Sequence, residues 1–225
     1  MSNLSAELDR CSTLDDTLRM MRTRLNKVIP DIELAAKAET VYAILEMKRQ
    51  MNVVILGHNY MEPALYHTVP DYVGDSLQLS VVASKTEADI ILFCGVWFMG
   101  ETAKILNPGK MVLVPSDQAG CSLAAGITPE DVRALKERFP GAPVVSYVNT
   151  YASVKAESDY CCTSGNADLV VKYLLDQGHK RIIFLPDQFL ARNTAAQLGI
   201  DYFPADGDDA AYAALSADLP VVIGW

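Results

Sequence analysis

The chain has 225 residues and is 50% hydrophobic, which is enough to bury one large core or two smaller ones. Its 28 acidic and 19 basic side chains argue against a nucleic-acid backbone or an anionic membrane as a partner. The start, MSNLSAELDR, lacks the basic and apolar regions of a signal peptide, and the longest apolar run, Ile90 to Met99, is too short to span a bilayer. We therefore expect a cytoplasmic protein whose five cysteines are thiols or metal ligands rather than disulfides.

The first fifty residues predict two packing helices that carry no chemistry. Apolar residues recur at helical spacing from Leu14 to Val28, and Pro30 ends that run. A second helix is predicted from Asp31 to about Met51. We therefore assign no function to this segment.

From Asn52 onward, short apolar strands alternate with helices. The predicted strands are NVVILG, DYVG, DIILFCG and MVLVP, and the helices between them begin at Pro63, at SLQLSVVASKTE and at FMGETAKIL. This alternation predicts a parallel sheet that is covered by helices on both faces.

The same pattern then occurs a second time. NVVILGHNY matches PVVSYVNTY 91 residues later, PDYVGDSLQLSVVASKT matches SDYCCTSGNADLVVKYL 88 residues later, and the Thr-Ala of FMGETAKIL recurs 92 residues later in FLARNTAAQL. Three blocks in one order at a nearly constant spacing predict a duplicated α/β unit. We therefore divide the chain into a helical segment (residues 1–51), a first unit (52–125) and a second unit (126–225).

The loops after the strands hold the candidate site, because ligands of open parallel sheets bind beyond the carboxyl ends of the strands. Ser76 and Ser164 are predicted to be N-caps, where a hydroxyl and free backbone N–H groups can bind an anion. An ordinary cap without a ligand is the commoner role for either serine alone. Their matched positions in the repeat, beside His58 and Asn149, favour a site for a small dicarboxylate or a phosphate.

Two tyrosines and one cysteine add chemistry at the same edge. Tyr60 and Tyr147 are predicted to be catalytic, because a phenol can donate and accept a proton. Cys121 lies on the loop after the fourth strand, but one cysteine alone is a weak indication of a metal site. The remaining cysteines and histidines are interpreted as structural or are given no role: Cys11, Cys94, Cys161, Cys162, His67 and His179.

Six segments together resemble the iron–sulfur quinolinate synthase A family of NAD biosynthesis: GHNYMEP, VGDSLQLS, FMGETAKIL, AGCSL, YVNTYASVKAESDYCCTSGNA and FLPDQFLARNTA. They occur in order from about residue 50 to 200. The resemblance implies repeated three-layer αβα units with short parallel sheets, two of the family's three being present here. It also implies the condensation of iminoaspartate with dihydroxyacetone phosphate to quinolinate, phosphate and water, with functional coupling to an L-aspartate oxidase or dehydrogenase.

The resemblance also implies residue roles. Cys121 would be one of three cysteine ligands of a [4Fe–4S] cluster, and Tyr60 would be an acid–base residue. The implied substrate contacts are His58, Ser76, Tyr147, the Val148 backbone, Asn149 and Ser164. LPVVIGW resembles the strand MVLVP, and the sequence ends at Trp225, before the family's second cysteine. We therefore expect an incomplete N-terminal part that binds little cluster, forms no quinolinate and self-associates.

Two other classes of protein share the α/β pattern. A nucleotide-binding enzyme is disfavoured, because the sequence contains neither G-x-G-x-x-G nor G-x-x-x-x-G-K-[ST]. A non-catalytic, two-lobed binding protein for a small dicarboxylate also fits a duplicated α/β chain, and this alternative stays open at the level of sequence.

Overall fold

The computed structural model describes residues 2–225, and these form two compact units. The first unit ends at Ala119, and the second comprises Gly120–Trp225. The N-terminal helices pack within the first unit. The residue boundaries of the three-part division drawn from the sequence remain a prediction.

The first unit consists of a sheet and helices that follow one another along the chain. Its elements are β1 (Ser2–Asn3), α1 (Ser5–Leu8), α2 (Leu14–Leu25), α3 (Asp31–Gln50), β2 (Val53–His58), α4 (Pro63–Tyr66), β3 (Tyr72–Gly74), α5 (Ser76–Lys85), β4 (Ile90–Cys94), α6 (Trp97–Leu106) and β5 (Met111–Leu113). The strand order is β1-β3-β2-β4-β5, and every pair is parallel except β1 with β3.

Helices cover both faces of this sheet, because side chains of a buried strand point alternately to either side. On one face, Ile55 and Cys94 pack in a single cluster with buried apolar side chains of α1, α2 and α3. Val54 and Leu56 are buried as well, and α5 and α6 pack against the strands with buried side chains such as Leu79. The predicted N-terminal helices therefore supply one layer of the first unit.

The second unit repeats this arrangement. Its elements are a short 3-10 helix (Ala124–Gly126), α7 (Pro129–Arg138), β6 (Val144–Tyr147), α8 (Ala152–Ala156), β7 (Tyr160–Cys162), α9 (Ala167–Asp176), β8 (Arg181–Leu185), α10 (Gln188–Leu198), β9 (Asp201–Pro204), α11 (Asp209–Ala213) and β10 (Val221–Gly224). The strand order is β7-β6-β8-β10-β9, and all pairs are parallel.

The core of the second unit lies on both sides of its sheet. Val144 and Ile183 pack with buried residues of α7 and α8, whereas Val145 and Phe184 pack with those of α9 and α10. This alternation confirms the predicted α/β class with short parallel sheets. β10 pairs with β8 as β5 pairs with β4, so LPVVIGW and MVLVP have equivalent neighbours on one side, although β5 is an edge strand and β10 also pairs with β9.

Several short elements were not predicted, among them the 3-10 helix (Ala124–Gly126). β1, α1, β9 and α11 contain between two and five residues each, too few for a periodic pattern of apolar residues to show. β9 and α11 lie between α10 and β10, where the first unit passes directly from α6 to β5. Among the helices of residues 2–225, none is long and apolar enough to cross a membrane.

Candidate active site

In the first unit, the candidate site begins where β2 and β3 end side by side. His58 closes β2 and pairs in parallel register with Gly74, the last residue of β3. The next helix starts at Ser76, so its first turn lies beside the imidazole. A Cβ on Gly57 would lie only 2.6 Å from Cγ of Pro70, and a glycine therefore lets the chain approach closely just before His58.

The hydrogen bonds of His58 fix which of its nitrogens carries a proton. The Tyr60 backbone N–H donates to Nδ1 (3.2 Å), so Nδ1 acts as an acceptor. In the neutral imidazole the proton then resides on Nε2, which lies 3.2 Å from Oγ of Ser76. Burial lowers the pKa of His58, and the nearby negative charge of Asp75 opposes that effect. A neutral His58 therefore donates to Ser76, whose own O–H hydrogen is left to donate to another acceptor.

Ser76 is not the N-cap of α5, contrary to the prediction. The cap is Asp75, whose carboxylate accepts the Gln78 backbone N–H (2.8 Å) while the Gln78 side chain accepts the Asp75 N–H (3.4 Å). A carboxylate that reaches the third helical N–H satisfies this position, so the helix begins one residue earlier than a serine cap would allow. Ser76 becomes the first helical residue, where its own backbone N–H has no partner within the helix.

Tyr60 extends the first unit's candidate site toward solvent. Its ring meets that of His58 edge-on, with 4.2 Å between the ring centroids, and 68% of the residue is exposed. The phenol is therefore accessible to a ligand, while the backbone N–H of the same residue orients the imidazole. The catalytic role of Tyr60 stays a prediction.

In the second unit, the candidate residues lie on the loop that follows β6. Tyr147 ends the strand opposite Cys162, and the Val148 N–H donates to the Cys162 carbonyl (2.8 Å). The hydroxyl of Thr150 donates back to the carbonyl of Tyr147 (3.1 Å). Tyr147, Val148 and Asn149 are all half-buried, so this loop holds them in a defined backbone conformation at the sheet edge.

Ser164 also differs from the prediction that it is an N-cap. It is exposed in a turn after β7, and α9 starts at Ala167 with Asn166 as its cap. The Asn166 side chain accepts both the backbone N–H (2.7 Å) and the hydroxyl (3.0 Å) of Thr163, and thereby closes the turn that contains Ser164. An asparagine that bonds back to the preceding loop delays the start of the helix.

The structure also changes which residues of the two units correspond. The sequence match aligns His58 with Asn149. In the structure, Ile55 and Val144 are equivalent, because each donates its N–H to the carboxylate of an aspartate that precedes the neighbouring strand and accepts that aspartate's N–H at its carbonyl. Counting along each strand from these residues aligns His58 with Tyr147. Each unit therefore places a side chain that can carry a proton at the last position of its first long strand.

The five cysteines differ in their surroundings. Cys121 is partly exposed, with no element of its own, and its carbonyl accepts the Ala125 N–H (2.9 Å). It lies just past Ala119, within the second compact unit. Burial raises the pKa of Cys94 to about 11 and that of Cys162 to about 12, so both thiols stay protonated near neutral pH. Buried Cys11 and exposed Cys161 are the remaining two.

Three residues with clear roles in the geometry were not identified from the sequence. Asp71 and Asp159 hold the first long strand of each sheet, and Lys155 donates to carbonyl oxygens of the loop after β6. The repeated Asp-Tyr in PDYVG and SDYCC was a usable signal for the aspartates. Lys155 carries no such signal, because a lysine on a short helix normally indicates a solvated position.

Comparison with known families and proteins gives a consistent result. The family model described as "Quinolinate synthetase A protein" matches residues 42–217. The chain is 54% identical over 190 residues to Quinolinate synthase 2 of Mesorhizobium japonicum, which covers 84% of this chain and 58% of that protein. It is 50% identical over 195 residues to Quinolinate synthase of Agrobacterium fabrum, covering 87% and 56%. The chain therefore spans about half the length of the curated relatives it matches.

Proposed function

The chain belongs to the quinolinate synthetase A protein family, and from that premise we propose that it carries the first part of a quinolinate synthase. The proposed reaction condenses iminoaspartate with dihydroxyacetone phosphate to quinolinate, phosphate and water, for NAD biosynthesis. The observation that carries this proposal is the pair formed by His58 and Ser76 at the carboxyl edge of the first sheet.

The first unit supplies a donor for a carboxylate. His58, with its proton on Nε2, directs the hydroxyl hydrogen of Ser76 toward a ligand, and the free N–H groups at the start of α5 favour an anion there. These groups are fixed before substrate arrives, so their dipoles need no reorganisation on binding. We propose that they bind one carboxylate of iminoaspartate, and that the exposed phenol of Tyr60 exchanges protons with the condensing substrate.

The second unit supplies a second set of contacts. Tyr147 and Asn149 offer a phenol and an amide on the loop after β6, and Ser164 offers a hydroxyl in the exposed turn after β7. Both backbone groups of Val148 already have partners within the unit, which leaves the second lone pair of its carbonyl oxygen for a ligand. We propose that these residues contact substrate, with Tyr147 as a second proton-transfer group.

The family resemblance also proposes Cys121 as one ligand of a [4Fe–4S] cluster. Among residues 2–225, no group of three or more His, Cys, Asp and Glu side chains is placed to hold a metal ion. A cluster needs several converging thiolates, so the described residues do not form a complete site for it. The binding and proton-transfer roles proposed above are therefore assigned to groups of this chain, and none of them involves the cluster.

Partners and location follow from the same proposal. The substrates are small molecules, and iminoaspartate would come from an L-aspartate oxidase or dehydrogenase to which the protein is functionally coupled. We place this activity in the cytoplasm. Fractionation of cells that produce the native protein, with quinolinate formation assayed in each fraction, tests the location.

The decisive experiment compares the 225-residue chain with the same chain joined to the C-terminal part of Mesorhizobium Quinolinate synthase 2. Both are reconstituted anaerobically with iron and sulfide, and iron content, molecular mass and quinolinate are measured. We expect quinolinate only from the joined chain, and little iron and self-association from the 225-residue chain. Cys121→Ser should remove iron from the joined chain, whereas the control Cys161→Ser should not.

Two results would argue against the proposal. A joined chain with full iron content that forms no quinolinate would contradict the assigned reaction. Tight, colourless binding of a dicarboxylate without turnover would instead support the two-lobed binding protein.

A further inference from the structure

Lys155 makes two contacts that a lysine on a surface helix does not normally make. Its ammonium donates to the carbonyl oxygen of Val148 (2.9 Å) and to that of Thr150. Both acceptors precede α8 in the loop that connects it to β6, so these bonds do not belong to the helix. The side chain is half-buried rather than extended into solvent. Lys155 therefore ties α8 back onto the loop.

The loop that Lys155 holds is the one that carries the second unit's candidate contacts. Val148 is held from two directions, because its N–H donates to Cys162 of β7 while its carbonyl accepts from Lys155. Hydrogen bonds from an ammonium to a carbonyl are charge-assisted and stronger than those between neutral groups. Without the ammonium, the carbonyl oxygens of Val148 and Thr150 would need water molecules as hydrogen-bond donors.

We infer that Lys155 is a positioning residue that fixes the loop 147–150 in one backbone conformation, and so places Tyr147 and Asn149 for a dicarboxylate ligand. The consequence for the ligand rests on the proposed function, whereas the hold on the loop does not. A lysine suits this role because its three donors can serve two carbonyls at once.

Matched variants separate positioning from general stability. Lys155→Met keeps an unbranched apolar stem and removes the ammonium, Lys155→Gln keeps a single donor group, and Lys155→Arg restores several donors. Lys172→Met is the control, because Lys172 is exposed and pairs with the exposed carboxylate of Asp176 on its own helix (2.9 Å).

The first measurement is hydrogen–deuterium exchange by mass spectrometry on the 225-residue chain. We expect the peptide that covers residues 147–151 to exchange about tenfold faster in Lys155→Met, as expected for a lost hydrogen bond to a charged group. Peptides of β8 should be unchanged, Lys155→Arg should recover most of the protection, Lys155→Gln should fall between, and Lys172→Met should match the native chain. Native exchange rates in Lys155→Met would overturn the inference.

The second measurement uses succinate as the probe. We expect succinate to protect residues 147–151 of the native chain from exchange, and Lys155→Met to weaken its apparent affinity about tenfold. Lys155→Arg should lose less than threefold in affinity. If succinate protects nothing in the native chain, the proposed dicarboxylate site fails, while the exchange comparison still decides the role of Lys155.

A third measurement needs no variant and keeps the inference testable if Lys155→Met does not fold. Brief acetylation of the native chain, read by mass spectrometry, compares the reactivity of individual ammonium groups. Lys155 should react about tenfold more slowly than Lys172, because its ammonium is engaged and half-buried. Equal reactivity would overturn the inference.

Discussion

The two units begin their sheets in the same way. The Asp71 backbone N–H donates to the Ile55 carbonyl (2.8 Å), and the Asp71 carboxylate accepts the Ile55 N–H (2.9 Å). In the second unit, Asp159 makes the same pair of bonds with Val144, at 2.9 Å and 2.8 Å. An aspartate before the neighbouring strand therefore binds the first long strand of each unit, at the third residue of β2 and at the first residue of β6.

The surroundings of the two aspartates differ. Asp71 also binds the ammonium of Lys48 (2.7 Å), and each of these residues is only 7% exposed. Asp159 is exposed, and with Lys136, the lysine at the matching position of the preceding helix, it lines an open cavity of about 450 Å³. The Leu4 N–H donates to the Asp71 carbonyl (2.7 Å), so the N-terminal segment closes the first unit over this motif. The repeat specifies the backbone geometry, and the covering segment decides whether the charge is buried.

The largest expected effect is on stability and tests this difference directly. Asp71→Ala should lower the free energy of unfolding of the first unit by about 3–5 kcal/mol, because it leaves the Lys48 ammonium buried without its partner. Asp159→Ala should cost the second unit only about 1 kcal/mol, the scale of an exposed hydrogen bond. Urea unfolding, followed by hydrogen exchange in each unit, measures both values.

The control for this prediction is the double variant Lys48→Met with Asp71→Asn. Removing both charges should recover much of the lost stability, because no charge is then left buried and unpaired. Equal losses in Asp71→Ala and Asp159→Ala would show that the covering segment does not matter.

The next effect concerns ligand binding and the two serines. Ser76→Ala should weaken succinate binding by the joined chain by about 1–3 kcal/mol, the scale of a lost hydrogen bond to a charged group. Ser164→Ala should lie at the low end of this range, because Ser164 is exposed in a turn. Ser84→Ala, on the same helix as Ser76 but away from its start, is the control. Calorimetric titration that shows native affinity in both variants would contradict the shared role.

A smaller effect is expected from pH. Burial lowers the pKa of His58 in the folded chain, so the unfolded chain binds the proton more readily and acid favours unfolding. The first unit should therefore lose stability as pH falls below about 6.5, while the second unit, with Tyr147 at the equivalent position, should not.

A single and a double variant show how much each histidine contributes to this pH dependence. His58→Gln should reduce the loss of stability of the first unit as pH falls. Adding His67→Gln should reduce it further, because burial and the charge of Arg24 also lower the pKa of His67. Unfolding curves between pH 7.5 and 5.5 provide the measurement. A decrease of the same size in the second unit would contradict the assignment to His58.

The smallest effect on stability is expected for the tyrosines. Tyr60→Phe should change the free energy of unfolding by less than about 0.5 kcal/mol, because the residue is 68% exposed, and Tyr147→Phe should cost slightly more. Quinolinate formation by either joined variant should nevertheless fall, because the proton-carrying hydroxyl is gone. If stability and the rate of quinolinate formation fell together, the hydroxyl would instead have a structural role.

Much of the fold could be predicted because its signal is local. Buried runs such as NVVILG and RIIFL are apolar on both faces of a parallel strand, and the duplication fixed the order of elements. Short pieces such as β9 have no such signal. Their positions depend on long-range contacts, as in the guanidinium of Arg138, which binds the carbonyls of Ala205 and Gly207 and so holds the segment after β9.

The candidate site was predictable in its residue types but not in its geometry. Aligning GHNY with VNTY matched side-chain identities, whereas hydrogen bonds to Asp71 and Asp159 decide which backbone positions correspond. The predictions that Ser76 and Ser164 are N-caps were wrong for a related reason. Serine, aspartate and asparagine can all serve as an N-cap. Which residue does so depends also on hydrogen bonds with the neighbouring loop, such as the one that the Thr163 N–H donates to Asn166.

Because the five cysteines differ in burial, we expect atmospheric oxygen to oxidise them at different rates. Thiolate is the form that oxidants and alkylating reagents attack, and the high pKa values of Cys94 and Cys162 keep those thiols unreactive near neutral pH. Oxygen should therefore act first on exposed Cys161, at the edge strand of its sheet, and on partly exposed Cys121. An aerobic preparation would accumulate disulfide-linked pairs of chains joined through Cys161, and a Cys161→Ser background would keep Cys121 as the most accessible thiol for labelling.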